Sequence, residues 1–446
     1  MKKILTIAAS DSGGGAGIQA DIKTITVLGG FAMSAVTALT AQNTLSVKAV
    51  HPVPPAFVAS QISTVLDDIG ADAVKTGMLV NKDIVATVAE ALQRYRPRHI
   101  VIDPVMKSKS GNTLLERSAV EVLIAELLPV ATLVTPNLDE ASLLCGMRID
   151  SVATMKKAAE RMAAMGPRNV LIKGGHLEGD CTDIFFDGQE FAEFSSPRID
   201  TKNTHGTGCT LSAAIAACLA QGALPREAVN AAKAFITTAI RCAVPLGQGH
   251  GPTNHFAPVQ RNAHITQCCS ELKNAFEMLR CANIGHLIPE VQSNLGYAVP
   301  AAAVSDDVIA FPGRIIRLGE TITTVAAPAP GGSRHIAKII LTALTYDGRY
   351  RSAMNITWND ALIDHCRKAG FSVCEFDRKQ EPPEVKQREG STLEWGTNNV
   401  LAARKEVPDI IYDRGDLGKE PMTRVLGTDP MDVADKIIKL ADMRNR

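Results

Sequence analysis

Residues Thr204–Cys209 read THGTGC and lead directly into an alanine-rich stretch, TLSAAIAACLA, over Thr210–Ala220. Alanine is the best helix former, so this stretch predicts a helix, and the glycines before it let backbone amides converge at the helix N-terminus. Such a terminus stabilises an anion. A phosphoryl group in transit needs that stabilisation because charge accumulates on its oxygens. The segment therefore favours a phosphoryl-transfer site.

Cys209 would lie in the first turn of this helix. The partial positive charge there lowers the pKa of a thiol from about 8.5 towards neutrality, so the thiolate could accept a proton from a substrate hydroxyl. The alternative is that Gly206 and Gly208 form only a tight turn and that Cys209 is a small buried side chain. This segment alone leaves both interpretations open.

A second glycine-rich segment, DSGGGAGIQAD, covers Asp11–Asp21 and has a carboxylate at either end. It lies between a predicted strand and a predicted helix, but it lacks the G-x-x-x-x-G-K-[ST] pattern of a phosphate loop. Glycine loops of this kind are common in turns. Only its combination with the first segment points to a site.

Up to about residue 255, short runs rich in valine and isoleucine alternate with longer alanine-rich stretches of helical spacing. This alternation predicts an α/β fold, a mostly parallel sheet with helices on both faces. Polar residues follow each predicted strand, at the carboxyl edge where open α/β sheets bind ligands. The predicted strands are Ile4–Ala8, Ala73–Thr76, His99–Ile102, Thr132–Thr135 and Asn169–Ile172.

The length of 446 residues is more than one hydrophobic core usually organises, so two domains are expected. Periodicity is lost after Gly247, where glycine, proline and asparagine accumulate, and this places a linker at residues 256–265 between domains at 1–255 and 266–446. The second domain is predicted to be a smaller α/β domain. Its predicted elements are a helix over Thr266–Cys281, strands near Asp307–Phe311 and Ile315–Leu318, and a helix from about His335 to Leu344. Ser391 and Glu394 fit a capping box. A closing helix is predicted to run to Met443, with Asp429 as its N-cap and Pro430 at its first position.

The composition argues for small-molecule partners. Lysine plus arginine total 47 and aspartate plus glutamate total 47, so no net charge favours nucleic acid or a membrane. The 10 cysteines show no paired C-x-x-C pattern, which indicates reduced thiols and a cytoplasmic location. The apolar opening residues are too short for a signal peptide and predict a buried first strand. No run approaches the roughly 18 apolar residues of a membrane helix.

Seven motifs in order make residues 1–255 resemble the hydroxymethylpyrimidine and phosphomethylpyrimidine kinases of the ribokinase superfamily. The resemblance implies a ribokinase-like fold and ATP as phosphoryl donor. It also implies a homodimer, since kinases of this kind are commonly dimers. The motifs are SGGGAGIQADIKT (Ser12–Thr24), Thr40–Thr44, Lys75–Leu79, Asp103–Met106, Thr135–Glu140, Lys173–His176 and His205–Cys209.

The resemblance also implies roles for individual residues. Sugar kinases of the superfamily carry aspartate where this chain has Cys209, which implies a pyrimidine substrate and Cys209 as the base, with Lys173 neutralising the migrating phosphoryl group. The glycine motif supplies Gly206 and Gly208 for catalysis and Thr207 for nucleotide binding. The residues implied in pyrimidine binding are Asp21, Gln42, Met78 and Val105.

Three further residues, Asp103, Asn137 and Glu140, are implied near the nucleotide phosphates. Asp103 and Glu140 would bind Mg²⁺, a hard cation that prefers oxygen ligands and keeps several waters. The alternative for each is surface solvation or a helix cap. The chain departs from the family at Lys107-Ser108, where many relatives are apolar or small.

The second half resembles the ThiN-type thiamine-phosphate synthase domain, on the motifs Phe311–Arg314, Gly331–Ala337, Tyr346-Asp347, Ala353–Ile356 and Tyr412–Pro421. This chemistry requires stabilisation of a leaving diphosphate, for which arginine's planar fork and a helix N-terminus are suited. His335 could donate a proton to it. The predicted set is Arg314 and His335 as catalytic residues with Ser333, Arg334 and Lys419 as substrate-binding residues. The alternative is that the arginines form surface ion pairs and His335 caps a helix.

Together the two resemblances imply a bifunctional enzyme of thiamine biosynthesis. It would phosphorylate 4-amino-5-hydroxymethyl-2-methylpyrimidine and then its monophosphate, and would couple the diphosphate to thiazole phosphate to give thiamine monophosphate and pyrophosphate. One alternative makes the second half a non-catalytic domain that senses thiamine phosphates. Another makes the first half a pyridoxal or sugar kinase, which aspartate in place of Cys209 would have favoured.

Overall fold

The computed structural model describes residues 1–106, 114–175, 179–382, 391–404, 406–416 and 418–442. Lys107, Ser108, His176 and Met443, which the sequence analysis singled out, lie outside these ranges. The chain divides into two compact units, Met1–Val259 and Gln260–Arg446. None of the helices in the described ranges is long and apolar enough to cross a membrane.

The first unit is built on one nine-stranded sheet with the order β3-β2-β1-β4-β5-β6-β7-β8-β9. The pairs from β2 through β7 are parallel, and β3, β8 and β9 join antiparallel at the two edges. The strands are β1 (Lys3–Asp11), β2 (Phe31–Gln42), β3 (Val47–Pro52), β4 (Ala73–Thr76), β5 (His99–Ile102), β6 (Leu133–Val134), β7 (Val170–Ile172), β8 (Cys181–Phe186) and β9 (Phe191–Ser196). The helices are α1 (Gly17–Val27), α2 (Pro55–Asp68), α3 (Lys82–Tyr95), α4 (Arg117–Val122), α5 (Leu138–Cys145), α6 (Val152–Ala163), α7 (Thr207–Ala220) and α8 (Pro225–Arg241).

Helices cover both faces of this sheet, as the sequence predicted. Leu5 and Ile7 of β1 are buried in one apolar cluster, and Ile4 of the same strand is buried in another on the opposite face. A strand buried on both faces is a continuous apolar run, and for that reason all five predicted strands could be found from sequence. The parallel strand β2 and the antiparallel edge strands β3, β8 and β9 were not among those predictions.

Helix α7 is the central helix of one face. It packs on β1, β4 and β5 and also contacts α1 and α8. Its small residues, among them Ala213, Ala214, Ala216 and Ala217, are completely buried. A helix that is apolar all round is a buried helix. This burial fixes the N-terminus of α7 near the carboxyl ends of these central strands.

The second unit contains a seven-stranded sheet with the order β14-β11-β10-β15-β18-β17-β16 and a separate hairpin, β12-β13. Only β16 and β17 pair in parallel among the registers of the large sheet. The strands are β10 (Leu295–Ala298), β11 (Val308–Ala310), β12 (Ile315–Leu318), β13 (Thr321–Thr324), β14 (Ala329–Pro330), β15 (Ser352–Ile356), β16 (Val373–Glu375), β17 (Ile410–Asp413) and β18 (Met422–Gly427). The helices are α9 (Ala257–Cys281), α10 (Arg334–Tyr346), α11 (Asp360–Lys368), α12 (Ser391–Arg404) and α13 (Pro430–Asp442).

This second unit is the smaller α/β region that the sequence predicted. Helix α10 packs on one face of the sheet, in a cluster with Ala298 and Ala353, and α13 packs on the other with Met354 and Val425. The prediction that Asp429 caps the last helix is confirmed, because its carboxylate accepts hydrogen bonds from the amides of Met431 and Asp432 at 3.0 and 2.9 Å.

The prediction of an irregular linker over 256–265 is wrong. Helix α9 starts at Ala257 and continues without a break to Cys281. Glycine, proline and asparagine are concentrated before this helix, between Gly247 and Asn254, and the residues after Pro258 are compatible with helix. The compositional change therefore marked the approach to the helix. The division between the two compact units, after Val259, lies inside the predicted range, but a helix occupies that range.

Candidate functional site

The two glycine-rich segments of the first unit are in direct contact. Gly206 has a φ of 78°, in the left-handed region, and a Cβ atom there would lie 1.8 Å from the carbonyl oxygen of Gly15. A Cβ atom on Gly15 would in turn lie 2.4 Å from the imidazole of His205. Only glycine permits this approach at both positions. The glycines therefore bring the loop after β1 against the start of α7.

Asp11 organises the loop. Its Oδ1 accepts the amide of Gly13 at 2.8 Å, and its Oδ2 accepts the amides of Ala16 and Gly15 at 2.8 and 3.1 Å. The Nε2 atom of His205 lies 2.9 Å from the same Oδ2. Burial alone would raise the pKa of Asp11, but the hydrogen bonds from His205 and the amides outweigh it and lower the pKa. The carboxylate is therefore ionised, and both of its oxygens accept hydrogen bonds.

Cys209 is partly buried in the first turn of α7, where the amide of Gly17 faces its sulfur. The expectation of a thiol pKa near neutrality is wrong. Burial raises the pKa of Cys209 to about 11, although the charge of Lys75 and the amide of Gly17 act to lower it. Desolvation of the thiolate outweighs the stabilising effect of the helix terminus. The sequence could not show how little water reaches the sulfur.

Asp21 does not have the position expected for a residue that touches the pyrimidine. It is completely buried, and its carboxylate binds the Nζ of Lys75 at 2.8 and 3.0 Å and the hydroxyl of Thr6 at 2.6 Å. Burial alone would lower the pKa of Lys75, but the charge of Asp21 outweighs it and raises the pKa. Asp21 is therefore the counter-ion of Lys75, a buried lysine whose charge acts on Cys209.

Lys173 and Asp103 form an ion pair beside the start of α7, with 2.9 Å between Nζ and Oδ1. A Cβ atom on Gly208 would lie 3.3 Å from the Nζ of Lys173 and 3.5 Å from Oδ2 of Asp103. Thr207 is the first residue of the helix. The structure therefore brings together the predicted cation, a carboxylate and the helix N-terminus, an arrangement that can stabilise a phosphoryl group.

Asn137 and Glu140 form a capping box at the start of α5. The side chain of Asn137 accepts the amide of Glu140 at 2.9 Å, and the carboxylate of Glu140 accepts the amide of Asn137 at 2.7 Å. Burial raises the pKa of Glu140 to about 7, against the lowering effect of Lys173. Both residues thus cap the helix, and the role near the nucleotide phosphates stays a prediction. The described residues contain no cluster of three or more His, Cys, Asp or Glu that could hold a metal.

The other predicted pyrimidine-binding residues lie on neighbouring strands and loops. Met78 is buried in a small apolar cluster with Ala9 and Ala38, and Val105 packs against the same cluster. Gln42 is at the end of β2, and its Nε2 is 3.3 Å from Nε2 of His205. Met78 and Val105 are thus brought together, and Gln42 lies beside the glycine motif.

Sequence reasoning assigned no role to Asp11, His205 or Lys75, although all three are in quoted motifs. The signal for Lys75 was available, because it is a charge inside the apolar strand Ala73–Thr76, and a buried charge requires a partner. The pairing of Asp11 with His205 had no sequence signal. Their partnership depends on how the chain folds.

In the second unit, Arg314 follows Gly313, and both have positive φ, 71° and 77°. The guanidinium of Arg314 donates to the carbonyl of Val291 and is exposed. A non-glycine residue in the left-handed region is uncommon, and such strain is concentrated at functional sites. The backbone of Arg314 is therefore held in an unusual conformation by the turn that precedes β12.

The GGSRH segment starts helix α10 as predicted. The hydroxyl of Ser333 caps the helix by accepting the amide of Ile336 at 3.4 Å, and Arg334 and His335 are exposed in the first turn. A Cβ atom on Gly332 would lie 2.2 Å from the carbonyl oxygen of Ala310, so glycine is required there. Two exposed basic side chains thus stand at a helix N-terminus, where an anion is stabilised.

Lys419 is exposed, and its Nζ lies 4.0 Å from the buried carboxylate of Glu381. The Tyr412–Gly415 motif contains a buried network that the sequence analysis missed. Asp413 pairs with Arg378 at 2.6 Å and with Arg424 at 2.7 Å. Burial opposes ionisation, yet the two guanidinium groups outweigh it and lower the pKa of Asp413. Asp413 therefore has a structural role that explains the motif.

Two family models match the chain. The phosphomethylpyrimidine kinase model matches residues 11–254, and the model of thiamine-phosphate synthase ThiN matches residues 271–439. A solved structure of a Bacillus subtilis pyridoxal kinase, described as an ADP complex, has 43% sequence identity and a TM-score of 0.55 and covers 58% of this chain and 99% of that one. The nine-stranded sheet and the site at its edge thus define a ribokinase-like small-molecule kinase.

Among curated proteins, the thiamine biosynthesis bifunctional protein ThiED of Geobacter sulfurreducens is 56% identical over 254 residues, which is 57% of this chain and 52% of that protein. The hydroxymethylpyrimidine/phosphomethylpyrimidine kinase of Bacillus subtilis is 49% identical over 57% of this chain and 95% of its own length. The chain belongs to the phosphomethylpyrimidine kinase family. In it, a phosphomethylpyrimidine kinase domain is followed by a region that matches the thiamine-phosphate synthase ThiN model.

Proposed function

We propose that residues 1–255 phosphorylate 4-amino-5-hydroxymethyl-2-methylpyrimidine and then its monophosphate at one site, and that residues 266–446 couple the diphosphate to thiazole phosphate. The observation that carries the kinase proposal is the convergence of Cys209, the Lys173–Asp103 pair and the N-terminus of α7. ATP supplies the phosphoryl group. Lys173 and the helix amides stabilise its oxygens as it passes to the substrate hydroxyl.

In this proposal the thiolate of Cys209 takes the proton of the substrate hydroxyl. Gln42 binds the polar edge of the aminopyrimidine while Met78 and Val105 pack on the ring. Mg²⁺, held by Asp103 and Glu140, would neutralise the nucleotide phosphates. The support for Mg²⁺ is the oxygen donor set, since a hard cation needs only one or two carboxylates when phosphates and water supply the other ligands.

For the synthase half, we propose that the diphosphate binds at the N-terminus of α10, where Ser333, Arg334 and His335 are located, with Arg314 and Lys419 as further cations. The bond between the pyrimidine methylene and the diphosphate oxygen breaks, and the thiazole nitrogen attacks the carbocation-like carbon. His335 donates a proton to the departing diphosphate. Support comes from the exposure of Arg334 and His335 in the first turn of a capped helix.

A product assay tests both halves at once. The purified chain is given hydroxymethylpyrimidine, ATP, Mg²⁺ and thiazole phosphate, and pyrimidine phosphates and thiamine monophosphate are followed together. Appearance of thiamine monophosphate supports both activities. Accumulation of the pyrimidine diphosphate without thiamine monophosphate would overturn the synthase proposal, and no pyrimidine phosphate at all would overturn the kinase proposal.

Pyridoxal is a second candidate substrate for the kinase site, because a solved pyridoxal kinase is 43% identical to this half of the chain. The same assay with pyridoxal in place of the pyrimidine measures the ratio of the two kcat/KM values. We expect this ratio to favour the pyrimidine. A ratio that favours pyridoxal would reassign the substrate.

We further propose a cytoplasmic homodimer. All 10 cysteines are free thiols, as expected in a reducing compartment. Leu39, Leu45 and Val50 are exposed apolar residues on the β2–β3 hairpin, and β3 is an edge strand of the nine-stranded sheet. Exposed apolar side chains at a sheet edge favour association. Light scattering of the purified chain would give the mass that decides between monomer and dimer.

A further inference from the structure

Asp11 and His205 are 194 residues apart in sequence and 2.9 Å apart in the fold. Asp11 ends β1, and His205 directly precedes the N-cap residue Gly206 of α7. The carboxylate of Asp11 also accepts three amides of the loop over 13–16. The pair therefore links the glycine loop after β1 to the helix that carries Cys209.

The loop contributes directly to the surroundings of Cys209. The amide of Gly17, where the loop becomes α1, faces the sulfur of Cys209. A Cβ atom on Gly17 would lie 2.3 Å from the carbonyl oxygen of Ala9, so the chain at Gly17 is packed tightly against β1. A displacement of the loop would therefore move a hydrogen-bond donor away from the sulfur.

The same loop is joined to Gln42, the residue proposed to bind the pyrimidine. The hydroxyl of Ser12 donates to the carbonyl of Gln42 and accepts the amide of Gln42, both at 2.8 Å. An ionised carboxylate only accepts hydrogen bonds, so Nε2 of His205 must use its single hydrogen on Asp11. Nε2 of Gln42, 3.3 Å from the same nitrogen, is itself a donor and finds no acceptor in a protonated Nε2, so its hydrogens stay available for a ligand.

We propose that His205 is a positioning residue for phosphoryl transfer, which holds the glycine loop against α7 by donating to Asp11 and so fixes both Cys209 and Gln42. The proposal rests on the proposed kinase function, and His205 need not touch the substrate. Cys209 and Gln42 both contact this loop. Both must be held within a fraction of an ångström, because a misplacement of about 1 Å can cost about 100-fold in rate.

The test compares three variants of the full chain. His205→Ala removes the donor, and His205→Gln replaces it with an amide N–H that can reach the same carboxylate. His51→Ala is the matched control, because His51 is exposed on β3. For each variant we would measure kcat and KM for hydroxymethylpyrimidine, coupling of supplied pyrimidine diphosphate to thiazole phosphate, and hydrogen exchange of the peptide that contains residues 11–17.

We expect His205→Ala to lower kcat by about 100-fold and to raise KM for hydroxymethylpyrimidine by about threefold or more, because the displaced loop also loses its hydrogen bonds to Gln42. Exchange of the loop amides should become faster. His205→Gln should restore most of kcat and the slow exchange, whereas His51→Ala should resemble the wild-type chain. All variants should couple supplied diphosphate like the wild-type chain, and they should keep slow exchange in the buried strand β1, which shows that the kinase unit is folded.

Unchanged exchange in His205→Ala would overturn the proposal, even if kcat fell, because His205 would then act without holding the loop. Equal losses in the Ala and Gln variants, with slow exchange of β1 retained, would also overturn it. If the wild-type chain does not phosphorylate hydroxymethylpyrimidine, the kinase proposal fails. The exchange comparison still decides whether His205 holds the loop, so the two failures are distinguishable.

Discussion

The rate of the kinase half should depend steeply on pH if the thiolate of Cys209 is the base. The pKa of this thiol is raised to about 11 by burial, so at neutral pH nearly all of the enzyme carries the protonated thiol. Below its pKa, the thiolate fraction of a single group rises about tenfold for each pH unit. We therefore expect kcat to rise by about tenfold per unit between about pH 7 and about pH 9.

The measurement is kcat for hydroxymethylpyrimidine at saturating ATP across that range, with the wild-type chain and two variants. Cys209→Asp places a carboxyl group at the same position. Its ordinary pKa is near 4, so even after burial raises it the group is ionised across this range, and a flat profile is expected. Cys209→Ala should lower kcat by about 100-fold or more at every pH. A wild-type kcat that does not change over this range, or a Cys209→Ala variant close to wild type, would refute the role of the thiolate.

Three further outcomes follow from the packing and the ion pairs. Gly206→Ala forces a Cβ atom against the carbonyl of Gly15 in a left-handed conformation; kinase activity should fall and the free energy of unfolding should drop by about 1–3 kcal/mol in urea titrations, and an unchanged variant would contradict the contact. His335→Ala should abolish coupling and spare the kinase in the product assay, whereas loss of both activities would indicate misfolding. Asp413→Asn leaves two buried guanidinium groups without their carboxylate; we expect a loss of about 3–5 kcal/mol in stability, checked by denaturation, and a loss below about 1 kcal/mol would show that the network is not required.

Much of the kinase fold could be predicted because its physical cause is local. The strands at Ile4, Ala73 and His99 are short apolar runs between alanine-rich helices, and that pattern is visible in the sequence alone. The cap at Asp429 was also found, since a capping side chain and the amides it binds are only two or three residues apart. The edge strands β8 and β9 were missed because a partly exposed hairpin lacks a continuous apolar run.

The sequence by itself determined the two domains' classes and the glycine segments and predicted the residues of a phosphoryl site, because motifs and periodicity are properties of neighbouring residues. Only the tertiary structure decided the solvent access and the charge partners of those residues. Burial raises the pKa of Cys209, where the sequence predicted a lowered one, and Asp21 is the counter-ion of Lys75 on β4. Solvent access and pairing across 54 or 194 residues depend on the closed fold, where desolvation and charge partners are set by distances that no local pattern contains.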